Sequence, residues 1–351
     1  MRQRTPHVRP QRPYPFQRTR FLGAAAATAL GVTLLTACGD TGSGSGSSVT
    51  VGVGSNVFEM PIRVAAANGY FAEQGLKVRF VTISASTGAS ALQSGSVQFL
   101  SDSPTGFLSA VEKNVPETAI SVDGVGNPLG LIVSTSFAHA HHLTAATPAA
   151  EVAKALDGSV GGASSTNTQA QTGIFLKAYD VDPGKVKWVS LPSPAADKAA
   201  LKSNQIDWFT TSEPTPLEIQ ESGDGVMVAD AVKVPVWSND NVGYGELVVA
   251  RSSYLSQHAA TAEKFVTAVR KAAAYMHTHL DSPEVQSVAQ KTLPGVPADV
   301  LKSSLALVDW PTSGAMSATG WNTTLAFINS LDVLPRTAKV TSDEWTNTYL
   351  P

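Results

Sequence analysis

Short apolar, β-prone runs alternate along this chain with stretches whose apolar positions recur every three to four residues, and the alternation occurs twice. In the first set, 49–53 (Val-Thr-Val-Gly-Val) reads as a strand, 61–73 as a helix, 76–83 as a strand, 86–93 as a short helix and 97–100 as a strand. The second set runs strand 159–163, helix 169–179, strand 186–191, helix 195–203, strand 206–210. Strands that alternate with helices at this spacing build parallel sheets with helices on both faces, so two α/β lobes are expected. Gly130-Leu131-Ile132-Val133 and Glu246-Leu247-Val248-Val249-Ala250 are also short, β-prone and next to glycine. As strands crossing between lobes they would make a two-strand hinge. Within 262–279, Phe265, Val266, Val269, Ala272, Ala273 and Met276 fall at helical spacing, and this tail is expected to pack back on the first lobe. The expected boundaries are 49–130 plus 247–351 for lobe 1 and 131–246 for lobe 2.

The N-terminal pattern is different. An uncharged apolar stretch from Phe21 to Ala37 follows six arginines and no acid, the charge asymmetry of a secretory signal. It falls short of the ~20 apolar residues of a membrane span, the alternative reading. It ends in Leu35-Thr36-Ala37-Cys38, which resembles the lipobox of bacterial lipoproteins. That resemblance implies a signal peptide over 1–37, cleavage before Cys38 and lipidation of Cys38. Arg18 and Arg20 are not adjacent, so Sec and twin-arginine export both stay open. The segment 38–48 continues with Gly and Ser and no apolar residue, a flexible leash between lipid and domain.

Composition narrows the partners. Six of the 25 Lys+Arg and none of the 28 Asp+Glu precede Cys38, so the chain beyond it carries 19 against 28, a net −9. Such acidity argues against nucleic acid and anionic lipid headgroups. Cys38 is the only cysteine, so with it committed to lipid there is neither a disulfide nor a thiolate metal site. With 43% apolar and 15% charged residues, the domain must be held by its core.

At Gly69-Tyr70-Phe71-Ala72-Glu73-Gln74-Gly75-Leu76-Lys77-Val78 the chain resembles the substrate-binding proteins of ABC importers that include sulfonate, nitrate and taurine receptors and thiamine-pyrimidine binding proteins. Ala91-Leu92-Gln93-Ser94-Gly95-Ser96-Val97-Gln98-Phe99 is similar to a second motif of that family, with Gln98 where Asp is usual. Ala200-Leu201-Lys202-Ser203-Asn204-Gln205-Ile206-Asp207-Trp208 repeats the unit, keeping the Asp but placing Asn204 where Gly is usual. The resemblance implies a type II periplasmic-binding-protein fold, two doubly wound α/β lobes closing on one small ligand.

Open α/β sheets bind ligands beyond the carboxyl ends of their strands. This selects Asn56 and Phe58 after the first strand, Ser86 and Thr87 after the second, and Asp102 and Ser103 after the third. In the second lobe it selects Ser165, Thr166 and Glu213, with Trp237 and Asn239 in the loop before the last hinge segment. Ser86, Thr87 and Ser103 also read as plain helix caps, and Trp208 reads as core. The candidate loops hold Glu59, Asp102, Glu213 and Asp240 but no Arg or Lys, which favours a neutral or partly cationic ligand over an anion. His139, His141 and His142 lie too close in sequence to close a metal site unaided and read as a surface loop.

The expectation is therefore an extracytoplasmic, lipid-anchored, monomeric solute receptor that delivers a small organic molecule to an ABC permease and ATPase complex. Neither metal, cofactor nor catalytic residue is expected, since no nucleophile elbow, P-loop or His-Glu-x-x-His motif occurs. The alternatives are a pyrimidine-synthase-like enzyme on the same fold and a ligand-sensing lipoprotein.

Overall fold

The computed structural model describes residues 47–54, 56–83 and 87–351; Cys38, the apolar run before it and Ser86 lie outside the described residues. The strands are β1 (Ser47–Val53), β2 (Leu76–Thr82), β3 (Phe99–Asp102), β4 (Glu117–Val125), β5 (Leu129–Ser134), β6 (Val160–Ala163), β7 (Lys187–Ser190), β8 (Trp208–Ser212), β9 (Gly225–Asp230) and β10 (Tyr244–Arg251). They form two five-stranded sheets, ordered β2-β1-β3-β10-β4 and β7-β6-β8-β5-β9. In each sheet the strand in fourth place runs against its neighbours: β10 in the first, β5 in the second. The chain passes between the sheets twice, at 126–128 and 231–243. The two segments expected to cross between lobes as hinge strands, 130–133 and 246–250, instead lie within β5 and β10, each paired on both sides inside one sheet, and each crossing comes just before them.

The two lobes repeat one local design. Gly52 of β1 pairs with Leu100 of β3, and Gly162 of β6 pairs with Phe209 of β8, in the same register. Two residues earlier on the central strand, the Thr50 N–H donates to Gln98 Oε1 and the Val160 N–H donates to Asp207 Oδ2, both at 2.8 Å. Gln98 thus does with a carboxamide oxygen what Asp207 does with a carboxylate. The helix-to-strand turns before them need a left-handed residue, supplied by Gly95 (φ 74°) and Asn204 (φ 56°). Asn tolerates that region better than most side chains, so both departures from the family motif leave the turn unchanged.

The helix expected over 61–73 is two helices, Met60–Ala67 and Tyr70–Glu73. Gly69, at φ 76°, breaks it and aims Phe71 inward. Phe71 stacks on Phe265 at 5.1 Å between ring centres, and Phe265 stacks on Phe99 at 4.0 Å. Phe265 belongs to the helix Ala259–His279, so the tail covers one face of the first sheet, burying Ala262, Val266, Val269 and Met276 as well. The second core gathers Leu131, Phe175, Trp208 and Trp237.

Strand β4 is an addition to the sequence reading. Its alternation is masked by Glu117, Ser121 and Asp123, all of them buried. The Asp123 carboxylate meets the guanidinium of Arg270, which also donates to the carbonyls of Val122 at 2.8 Å and Pro311 at 2.9 Å. The outer edge of β4 is covered by the tail: the N–H groups of Ala119 and Val122 donate to the carbonyls of Glu344 and Gly314, and the Thr346 N–H donates to Ala119. An edge so paired offers no template to another chain.

Candidate functional site

The carboxyl ends of the central strands and the crossing segments enclose a cavity between the sheets. Lobe 1 contributes Asn56, Phe58, Ser103, Thr105 and Glu246; lobe 2 contributes Asn167, Gln171 and Ser212. Asn127 lines it from the first crossing, Tyr244 from the start of β10, and Phe327 from the helix Ala318–Leu331. A second cavity shares Asn56, Ser103 and Glu246 with the first and reaches Ser101 and Asp102. Their volumes, about 140 and 180 Å3, suit a small molecule rather than a polymer. Two contacts bridge the lobes at the rim: Thr105 Oγ1 donates to Asn167 Oδ1 at 3.4 Å, and Asn127 Nδ2 donates to Gln171 Oε1 at 2.5 Å.

Local sequence explains how these groups are held. Asn56 caps the short 3-10 turn Val57–Glu59: its Oδ1 accepts from the Phe58 N–H at 2.8 Å, and Glu59 Oε1 accepts from its N–H at 3.1 Å. This reciprocal cap fixes the loop and leaves the Asn56 NH2 for a ligand. Ser103 caps the helix Pro104–Glu112, accepting from the Gly106 N–H at 3.1 Å. Asp102 folds over the same first turn, so close that a Cβ on Gly106 would collide with its carboxylate. The helix terminus that would attract an anion is thus already faced by one of the chain's own carboxylates. On β10, Glu246 is 5% exposed, and its Oε1 accepts from the Ser101 hydroxyl at 2.7 Å.

These acids share a poorly solvated floor. Burial raises Asp102 to about 7, against a hydrogen bond from the Ser103 N–H. Burial also carries Glu246 well above the ordinary carboxylate range; the Ser101 hydroxyl opposes this, while Asp102, Asp123 and Glu59 reinforce it. The arginines nearby are committed elsewhere. Arg63 pairs with Glu59 at 2.7 Å and lies over the Phe80 ring, and Arg270 pairs with Asp123. No Lys, Arg or His lines either cavity among the described residues.

Of the residues selected from sequence, Asn56, Phe58, Asp102 and Ser103 come together here. Thr87 precedes the helix Gly88–Gln93, of which Gly88 rather than Thr87 reaches the cavity. Ser165 caps the helix Thr166–Lys177, and Thr166 lines a separate groove with Trp188 and Asp332. The cleft face of that helix is instead Asn167 and Gln171, one turn apart. Glu213 is also displaced: it is buried, its Oε2 accepts from the Leu217 N–H at 3.1 Å, and its own N–H donates to Pro128. It braces the first crossing, and burial raises it to about 8. Trp237 is fully buried in the second core, where its indole N–H donates to the Gln171 carbonyl at 2.9 Å, so it supports the cleft helix from behind. Asn239 packs over Gly126 of the crossing and stays outside the cavity lining. His141 stacks on Phe137, and among the described residues no group of three His, Cys, Asp or Glu gathers in metal-binding geometry.

Glu246 is the main residue that sequence reasoning missed. It opens a β-prone segment, although it is the one acid in that otherwise apolar run. Asn167 and Gln171 carried a signal too, as polar residues four apart on a helix that continues into the buried Phe175 and Leu176. Tyr244 and Phe327 carried none, because only tertiary structure brings them there.

Known proteins share this fold. The ligand-binding component of an ABC-type import system from Staphylococcus aureus superposes with a TM-score of 0.68 at 15% identity, covering 86% of this chain and 97% of that one. The alkanesulfonate-binding protein SsuA from Xanthomonas axonopodis pv. citri, bound to MOPS, gives 0.65 at 15% identity, covering 83% and 96%. The desulfurization enzyme DSZB gives 0.58 at 14% identity, covering 83% and 94%. A search of curated proteins by sequence found no match. The two sheets with their shared strand order are the periplasmic-binding-protein fold, and residues 56–282 match the NMT1/THI5-like family, to which this chain belongs.

Proposed function

We propose that the chain is a solute receptor of an ABC importer, exported, tethered to the outer face of the cytoplasmic membrane through lipid on Cys38, and closing on one small organic molecule. The observation that carries this reading is the cavity lined by polar groups from both lobes, with two chain crossings beside it. Such a site opens and closes as the lobes swing about the crossings, which exposes or hides the ligand for a permease. The receptor acts as a monomer, with the first sheet and its helices, 47–125 plus 244–351, moving against 129–230.

Small-angle scattering with and without a ligand found by thermal-shift screening tests closure; an unchanged radius at saturation counts against it. Fatty-acid labelling and membrane fractionation of Cys38→Ser test the anchor. Labelling equal to the parent protein would remove the lipid from this account.

A further inference from the structure

We propose that the cavity takes a compact organic cation, a protonated amine or nitrogen base, with its positive centre held by Asp102 and Glu246. The inference rests on the receptor reading above and names the ligand class for that same site. Four features carry it. First, the cavity lining holds two carboxylates and no Lys, Arg or His among the described residues. Second, Glu246 is 95% buried, lines both cavities, and has the Ser101 hydroxyl on Oε1 but no hydrogen bond to Oε2. A carboxylate on a buried residue whose second oxygen opens to a cavity, without a partner among the described residues, is a group whose partner arrives with the ligand. Third, Asp102 already faces the terminus of the helix Pro104–Glu112, a backbone feature that would otherwise draw an anion. Fourth, Phe58, Tyr244 and Phe327 add aromatic surface of the kind that favours cations, while the opposite wall is neutral, made of Asn167, Gln171 and Ser212.

The charged groups around the pair leave this balance intact. Glu59 and Asp123 reinforce the negative potential at Glu246, and their own charges are met by Arg63 and Arg270. Glu117, at the start of β4, adds a further acid coupled to Asp102. Burial holds Asp102 at about 7, so it is partly protonated near neutral pH, and burial also disfavours the ionised form of Glu246. A bound cation favours the ionised carboxylates, so the protons leave to buffer on binding, and affinity falls as pH drops. An anion would show the opposite trend, because protonation removes the charges that repel it.

The test uses the purified full chain, a panel of cations (alkylamines, quaternary ammonium ions, amidines) and a panel of anions (alkanesulfonates, nitrate), with thermal shift first and calorimetry on hits. At least one cation is expected to raise Tm and to bind roughly tenfold more tightly at about pH 8 than at about pH 6. Glu246→Gln and Asp102→Asn should each weaken that cation roughly tenfold or more, with each variant's own Tm as the folding control. Cation binding that is untouched in both variants, or an anion that binds more tightly at the lower pH, overturns the proposal and leaves the receptor reading standing. No shift with any probe in either panel counts against both.

Discussion

The two lobes share strand order, register and even the side-chain brace on the central strand, yet they present opposite chemistry to the cleft. At matching places after Leu100 and Phe209, lobe 1 continues Ser101-Asp102-Ser103 and lobe 2 continues Thr210-Thr211-Ser212. Lobe 1 therefore brings acids to the interface and lobe 2 brings hydroxyls and amides. The burden of buried charge differs as well. Lobe 1 hides Glu59, Glu117, Asp123 and Glu246, with Arg270 sunk beside Asp123; lobe 2 hides Asp197 and Glu213 and has no buried ion pair among the described residues. One fold, used twice, has been given one polarised and one neutral face.

The largest expected effect separates the lobes by their ion pairs. Arg270→Met should strand Asp123 in the core and lower unfolding free energy by about 3–5 kcal/mol. Lys198→Met, which breaks the partly exposed pair with Glu218 in lobe 2, should cost no more than about 1 kcal/mol. Urea unfolding of both variants decides it, and equal losses would remove the contrast.

Next comes pH. Carboxylates in the unfolded chain titrate near 4. In the fold, burial moves Glu117 and Glu213 to about 8, Asp102 to about 7, and Asp123 and Asp197 to about 6. The folded state thus keeps protons that the unfolded chain has released. The stability these groups contribute is full below about pH 4 and is lost as pH climbs through about 6 to 8. Ligand-free protein should be more stable near pH 5 than near pH 8 by several kcal/mol. Hydrogen exchange should show the loss first in β4 and β10 of lobe 1. A profile that is flat, or that rises with pH, would falsify the assignment of these acids as shifted upward by burial.

The shared brace predicts smaller effects. Asp207→Ala should cost about 2 kcal/mol and Gln98→Ala about 1 kcal/mol, since a charged acceptor makes the stronger bond. Chemical denaturation measures both, and a greater loss for Gln98 would break the equivalence of the two positions. Smallest is the turn before each brace. Gly95→Ala should cost about 1 kcal/mol at its positive φ, whereas Asn204→Gly should change stability by only a few tenths. Matched Tm values for the two variants would mean that the turns are not alike.

Much of this fold was legible because its strands and helices announce themselves by period. The five elements expected at 159–210 correspond to β6, the helix Thr166–Lys177, β7, the helix Pro194–Lys202 and β8, with ends shifted by a few residues. Strand β4 escaped because three buried polar residues erase its apolar alternation, and their burial depends on Arg270 and on tail residues far along the chain. The site was half legible for a related reason. Residues directly after strands, such as Asn56 and Asp102, follow from topology alone. Which face of the helix after Ser165 meets the cleft depends on how that helix rolls, and Trp237 behind Gln171 sets that roll. Glu213 misled because it follows a strand as a ligand residue would, yet the chain turns it toward Pro128.

The position of β10 has a consequence for how this chain acquires its structure. It lies between β3 and β4, so the first sheet has a gap in its middle until residues 244–251 arrive. Lobe 2 suffers no such delay, because all its strands come from one continuous stretch, 129–230. On a chain emerging N-terminus first, the second lobe can complete itself while the first still waits with β3 and β4 apart. The lobe synthesised first is then the last to close, and the long lobe-2 insertion must be out of the way before the acids on β3 and β10 meet across one sheet.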